Sequence, residues 1–412
     1  MVVKSLAVLL AGALFLGSIP VLAQTVNLST SKQLTEPVPG NPQRLNAEPV
    51  SMAVSPDGRY VVTVNDGYGT FESNYSQSLA VYDTQAGTLA DFPDDRTVLR
   101  GGKQTLYSGL AFSRDGTHVY ASMGSESDPN GERKGDTGNG IAVYSFSTGK
   151  IAPERFIKLP LEKLAAGRKT RLLGERDGDQ AIPFPAAIAV FGAGGGAGEK
   201  LLVAGNLSDD VLVVDAASGA VEKRFDLSES EAVPGTYPIA LAVTQDGRRA
   251  FVALWNASEI VEIDLVKLTV GRKLALLKAS DPVKPGSHPC AFQITPDEKT
   301  LYVALANRDA VAAVNIAGGG LRVKGYLDTR LPHQSYFGAE PLALAQDASG
   351  HRLYVANMAS DAVAVIDPAK LTAKASKRGM AEPLGFVPTE WMPFSVAFTG
   401  GKLYVATDKG KG

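Results

Sequence analysis

Nine side chains of kinds that recognise or transform ligands lie beside the turns of this chain: Asn65, Tyr68, Phe71, Trp255, His288, His333, Tyr336, Glu390 and Trp391. Aromatic rings mixed with a few polar groups suit recognition better than bond-making, because aromatics bring large apolar area and polar groups fix orientation. Each has a plainer reading. Trp255 and Trp391 are also fit to pack between neighbouring structural units, since large aromatics are mostly buried. His288, in "GSHP", suits a loop tied by hydrogen bonds, because no second histidine or carboxylate accompanies it at ligand spacing.

Reaction motifs are sparse. The chain has no G-x-S-x-G elbow, H-E-x-x-H pair, phosphate loop or C-x-x-C-H site. The glycines of "FGAGGGAG" (191–198) precede "EKLLVAG", which reads as a strand, so they suit a lengthened hairpin loop and not a phosphate cradle. Asp128, Asn130 and Asp136 in "SESDPNGERKGDTGNG" lack the alternate-position carboxylates and distal glutamate of a calcium loop, which favours a flexible acidic loop. The four histidines lie in separate units or loops, and His118 and His351 read as surface residues. Cys290 reads as a small buried hydrophobe. These residues give no catalytic set, no metal site and no cofactor.

The elements that must position such residues are short and repeated. An alternating apolar strand recurs as "VSMAVS", "GLAFSR", "AIAVFG", "ALAVTQ", "AFQITP", "ALAQDA" and "SVAFTG". A tight turn and a second strand follow each, as in "PDGRYVVTV" and "RDGTHVYAS", and Asp-Gly supports the positive φ that short hairpins need. A third strand closes on a polar residue, as in "SLAVYD" and "DVLVVD". Asp83, Asp215, Asp264 and Asp367 there suit Asx turns, not acid chemistry. Four strands per unit without helices predict an all-β, seven-bladed β-propeller over residues 24–412. The seventh unit runs out of chain after two strands, so residues 25–38 are expected to supply its missing outer strands and close the ring.

Residues 1–23 place one lysine before an apolar run that ends at Ala23, the layout of a cleavable secretory signal and of a periplasmic or secreted protein. Breaks at Gly12, Gly17, Ser18 and Pro20 argue against a membrane span. One cysteine excludes an intrachain disulfide, and a net charge of −2 makes nucleic acid a poor partner.

"LYVANMASDAVAVID", "GNLSDDVLVVD" and the segment from "GSHP" to "AVAAVN" resemble the YVTN-type, YncE-like seven-bladed propeller repeats of bacterial secreted proteins. More narrowly, "VNDGYG", "GNLSD" and the closing "GFVPTEWMPFSVAFTGGKLYVATDKGKG" resemble the propeller part of bacterial proteins that join it to a phosphoesterase of the alkaline phosphatase superfamily. That resemblance implies phosphoesterase ligands lying beyond Gly412. The repeat's asparagine after the second strand is kept at Asn65 and Asn357 but replaced at Gly205, Leu254, Leu305 and Thr407, so no ring of identical asparagines is available. The expected function is a non-enzymatic module binding a protein, peptide or glycan through its loop face. The alternative is a lactonase-like propeller hydrolase with a channel metal.

Overall fold

Runs such as "YVVTVN" and "TLYVAL" are rich in β-branched and small residues, and both form strands whose every residue is buried. A computed structural model of the chain describes residues 26–27, 33–34, 36–98, 103–170, 178–193, 198–277, 286–371 and 380–409. Six antiparallel sheets of four strands follow one another along the chain: residues 49–98, 105–158, 185–226, 238–275, 289–328 and 341–388. A seventh has two described strands, Trp391–Thr399 and Lys402–Lys409. These are blades 1 to 7 of a β-propeller.

Each blade cannot bury both faces alone, and six apolar clusters do so jointly for consecutive blades. Val62, Val64 and Leu79 of blade 1 pack with Val119, Met123 and Tyr144 of blade 2, for example. The arrangement repeats further along the chain, where Val303 and Ala312 of blade 5 pack with Phe251 and Ile260 of blade 4. Blade 7 meets blade 1 through the Tyr82–Tyr404 ring pair, 5.5 Å apart, and through Thr399 Oγ1, which donates to Gly58 O at 2.8 Å.

The turns are those the sequence suggests. Asp57, Asp115, Asp246 and Asp297 each accept the amide two residues on, at 3.0–3.1 Å. Gly58 follows the first of them with φ 73°. Asp83, Asp215, Asp264 and Asp367 likewise accept nearby backbone amides in Asx turns.

Of the segment expected to close the ring, Val26–Asn27 pairs antiparallel with Gln33–Leu34, while residues 25, 28–32 and 35 lie outside the described residues. The loop at 125–139 is less free than expected. Asp128 accepts the amides of Glu132 and Arg133 at 2.9 and 3.0 Å, and Asn139 bonds Ser125 and Pro129. The signal at 1–23 lies outside the described residues. No described helix is long and apolar enough to cross a membrane.

Candidate functional site at the channel mouth

A single backbone device repeats around one face. The residue before a proline leads into the innermost strand with a positive φ: Glu48 56°, Phe184 40°, Tyr237 54°, His288 49°, Glu340 53° and Met392 47°. A register shift follows each proline, between Pro49 and Ser51 and equivalently at Pro185, Pro238, Pro289, Pro341 and Pro393. Proline suits the head of a strand, where no ladder donor is needed, and a bulge re-aims the neighbouring side chain. In five blades the lead-in carbonyl accepts the amide of the residue that follows strand two. The pairs are Asp66–Glu48, Asn206–Phe184, Trp255–Tyr237, Ala306–His288 and Met358–Glu340, at 3.0–3.2 Å.

Buried caps hold these lead-ins. Asp309 accepts the amides of Gly338, Ala339 and Glu340 at 2.8, 2.9 and 3.2 Å. Asp209 does the same for Gly235, Thr236 and Tyr237, Ser258 Oγ accepts from Ser287, and Asp361 accepts from Met392. Each cap thus fixes the next blade's contribution to the mouth. Asp309→Ala orphans three amides and is expected to cost roughly 3 kcal/mol, read from denaturant unfolding; a loss under about 0.5 kcal/mol would dismiss the capping role.

The side chains carried on this frame divide the mouth. Blades 2 to 5 present rings: Tyr107 meets Phe184 edge-on at 5.1 Å, Tyr237 meets Trp255 at 6.4 Å, and Trp255 lies 3.8 Å from His288. Burial and the nearby Arg308 hold the His288 imidazole below its usual range, which keeps it neutral near pH 7. Blades 6, 7 and 1 present carboxyls at Glu340, Asp408, Glu48 and Asp66. Burial and the neighbouring Asp309 raise Glu340.

A cleft of about 360 Å³ opens where blade 1 meets blade 2, lined by Glu48, Asp66, Tyr68, Tyr75, Gln77 and Gln104 among others. Burial, then the charges of Glu48 and Asp408, push the Asp66 carboxyl up to about 8. Its Oδ1 is buried with no hydrogen-bond partner among the described residues. Asp66 is therefore a neutral carboxylic acid at pH 7, able to donate a proton into the cleft. Gln77 braces the wall by donating to Thr105 Oγ1 at 2.7 Å and accepting from the Leu106 amide at 2.6 Å.

The nine singled-out residues scatter over this picture. Trp255 and His288 come together, and Tyr68 lines the cleft at 77% exposure. Phe71 and Tyr336 stand out on loops, 81% and 80% exposed, and His333 is exposed on the same loop as Tyr336. Glu390 and Trp391 are half-buried at the start of blade 7. Asn65 is wholly buried and donates to Ser78 Oγ at 2.9 Å, while its Oδ1 has no hydrogen-bond partner among the described residues. Glu48, Tyr107, Phe184, Tyr237, Glu340 and Asp408 were not singled out. Most of them were findable as the residue before the proline that heads an apolar strand, in "EPVSMAV", "FPAAIAV", "YPIALAV" and "EPLALAQ".

Fold and site together define a seven-bladed propeller with a half-acidic, half-aromatic mouth. Residues 196–381 match the model of the family described as "Lactonase, 7-bladed beta-propeller". No curated protein matches the chain. Among solved structures, the periplasmic gluconolactonase PpgL of Pseudomonas aeruginosa is similar at 16% identity and a TM-score of 0.57, covering 88% of this chain and 89% of that one. Hydrazine synthase of Kuenenia stuttgartiensis is similar at 15% identity, TM-score 0.60, with 90% and 95% covered. A Bacteroides fragilis protein described as a 6-phosphogluconolactonase is similar at 16%, TM-score 0.52, with 87% and 91% covered. At such identities the likeness is one of fold, and folds host many chemistries.

The expectation of a non-enzymatic chain is overturned by the lactonase family match, which points to a hydrolytic enzyme. Nothing in these similarities carries the association with a phosphoesterase.

Proposed function

We propose that this propeller hydrolyses a lactone ring at the channel mouth. The observation that carries this reading is the match of residues 196–381 to the lactonase propeller family. The cleft's chemistry supports it. Water adds to the acyl carbon while its proton passes to Glu48; the ring C–O bond then breaks, and Asp66 delivers its proton to the departing oxygen. The product is a hydroxy carboxylate, and proton exchange with solvent resets the two acids. A carboxyl kept neutral by its surroundings beside one that is charged is a recurring way to divide acid and base roles. Among the described residues no three His, Cys, Asp or Glu side chains are grouped to hold a metal ion. The acid-base steps are assigned to the chain's own carboxyls.

The purified protein should hydrolyse D-glucono-1,5-lactone above the buffer rate, with activity falling as pH rises through about 8, where Asp66 loses its proton. A rate equal to buffer across pH 5–9 with a panel of five- and six-membered lactones refutes the proposal. An extracytoplasmic address suits it, given the leader pattern of residues 1–23, and cell fractionation checks that address.

A further inference from the structure

We infer that the lactone ring held in the cleft carries an apolar tail of several carbons, and that this tail lies against Phe71 and Tyr75 on the loop at the cleft's rim. The inference rests on the lactone reading for the reacting ring, while the tail's seat is argued from the loop alone.

Residues 68–75 set three rings, Tyr68, Phe71 and Tyr75, on one short loop, and Phe71, at 81% exposure, is the most exposed large apolar side chain among the described residues. One such residue alone is ordinary; three together on a rim mark a surface that meets a ligand. The loop is braced from inside. The buried Ser73 Oγ accepts the Thr70 amide at 2.9 Å, the Tyr75 amide donates to Thr70 O at 2.8 Å, and Asn46 Nδ2 donates to Ser76 O at 3.1 Å. Asn74 and Tyr75 sit at φ 55° and 60°, a left-handed backbone that is costly for residues with side chains. Gly69, at φ 72°, lets the two ends of the loop approach, since a Cβ there would stand 2.6 Å from Ser76 O. These bonds hold the rings out in water, and a surface ordered beforehand loses little entropy when it binds.

The shape and chemistry of the seat fit a chain. Phe71 meets Tyr75 edge-on, with centroids 6.5 Å apart and planes at 83°, so the two rings form a right-angled crease. Such a crease grips a narrow chain, whereas a flat sugar ring stacks on one open face. Phe71 has neither donor nor acceptor in its side chain, so what it gains from a ligand comes from apolar area removed from water. Tyr75 belongs both to the crease and to the lining of the cleft, which makes the route from the reacting ring to Phe71 continuous.

A methylene wholly removed from water strengthens binding about 4-fold, and one half covered on an open rim roughly 2-fold. Calorimetry with δ-valerolactam and its 6-butyl derivative, cyclic amides that resist hydrolysis, reads the tail apart from turnover. The butyl compound is expected to bind about 10-fold more tightly; Phe71→Ser should bring that ratio below about 3, and Phe71→Leu should keep most of it. The same preference should appear in kcat/KM for δ-nonalactone over δ-valerolactone, each divided by its own rate in buffer. Equal binding of the two lactams, no binding of either, a preference that Phe71→Ser leaves intact, or turnover of the two lactones without preference overturns the inference. A Phe71-dependent preference among the lactams without turnover of any lactone would refute the hydrolase proposal and leave the apolar seat standing.

Discussion

Replacing Asp66 by asparagine is expected to lower kcat/KM for a neutral lactone by about 10²–10⁴-fold, the usual share of a positioned proton donor. Asparagine keeps the shape and a hydrogen-bond donor but has no proton to give to a leaving oxygen. The same variant tests the protonation state without substrate. Asp66 titrates near 3.8 when unfolded and near 8 when folded, so between those values the unfolded chain sheds a proton that the fold retains. Stability contributed by this site therefore declines as pH rises from about 4 to 8, by on the order of a few kcal/mol. Asp66→Asn should melt like the parent at pH 4 and several degrees higher at pH 9. A variant with parental activity, or with no alkaline gain in Tm, would show that Asp66 is not the buried acid argued above.

The largest loss of stability is expected at Arg224. Its Nε bonds the fully buried Asp210 carboxylate and lies 3.4 Å from Glu162, and its Nη1 donates to Lys163 O at 3.2 Å. It joins the outer edge of blade 3 to the insertion that begins at Glu162. Arg224→Leu strands Asp210 in the interior and should cost about 3–5 kcal/mol, whereas Arg224→Leu with Asp210→Leu should recover most of that loss. Burial and the Asp210 charge push Glu162 up to about 7. With the cation gone, ionising these carboxyls becomes harder, so the penalty should grow as pH rises through about 4.5 to 7. Urea unfolding at pH 5 and pH 8 reads both effects. Equal stability of the single and double variants would mean that the ion pair is not what holds this corner.

How far residues announce their roles depends on how local the cause is. Asp57 and Asp83 act on amides two or three residues away, so their turns are legible in the chain alone. The blades are legible for the same reason, since each is built from hairpins between sequence neighbours. Asp66 is different: its proton is held by burial, then by Glu48 earlier in the same blade and by Asp408 at the opposite end of the chain, a convergence that only the closed ring creates. Closure is legible only as a need: an unpaired seventh blade calls for partner strands, and the segment at 25–38 is described only in part. The expectation of no hydrolase activity leaned on missing metal motifs. Paired carboxyls leave no such signature.

The lead-in residues at the mouth are gripped by their own main chain. Carbonyls at 48, 184, 237, 288 and 340 are bonded and the caps take backbone amides, so the blade places no demand on the side chain carried there. Glutamate, phenylalanine, tyrosine, histidine and methionine all occupy equivalent slots with φ between 40° and 56°. Such backbone is strained for any side chain but glycine, and nearly equally so for these five kinds. Heritable change in reactivity is thereby uncoupled from heritable change in folding: a lineage, or an engineer, can exchange the tools around the ring while the wheel that bears them stays the same.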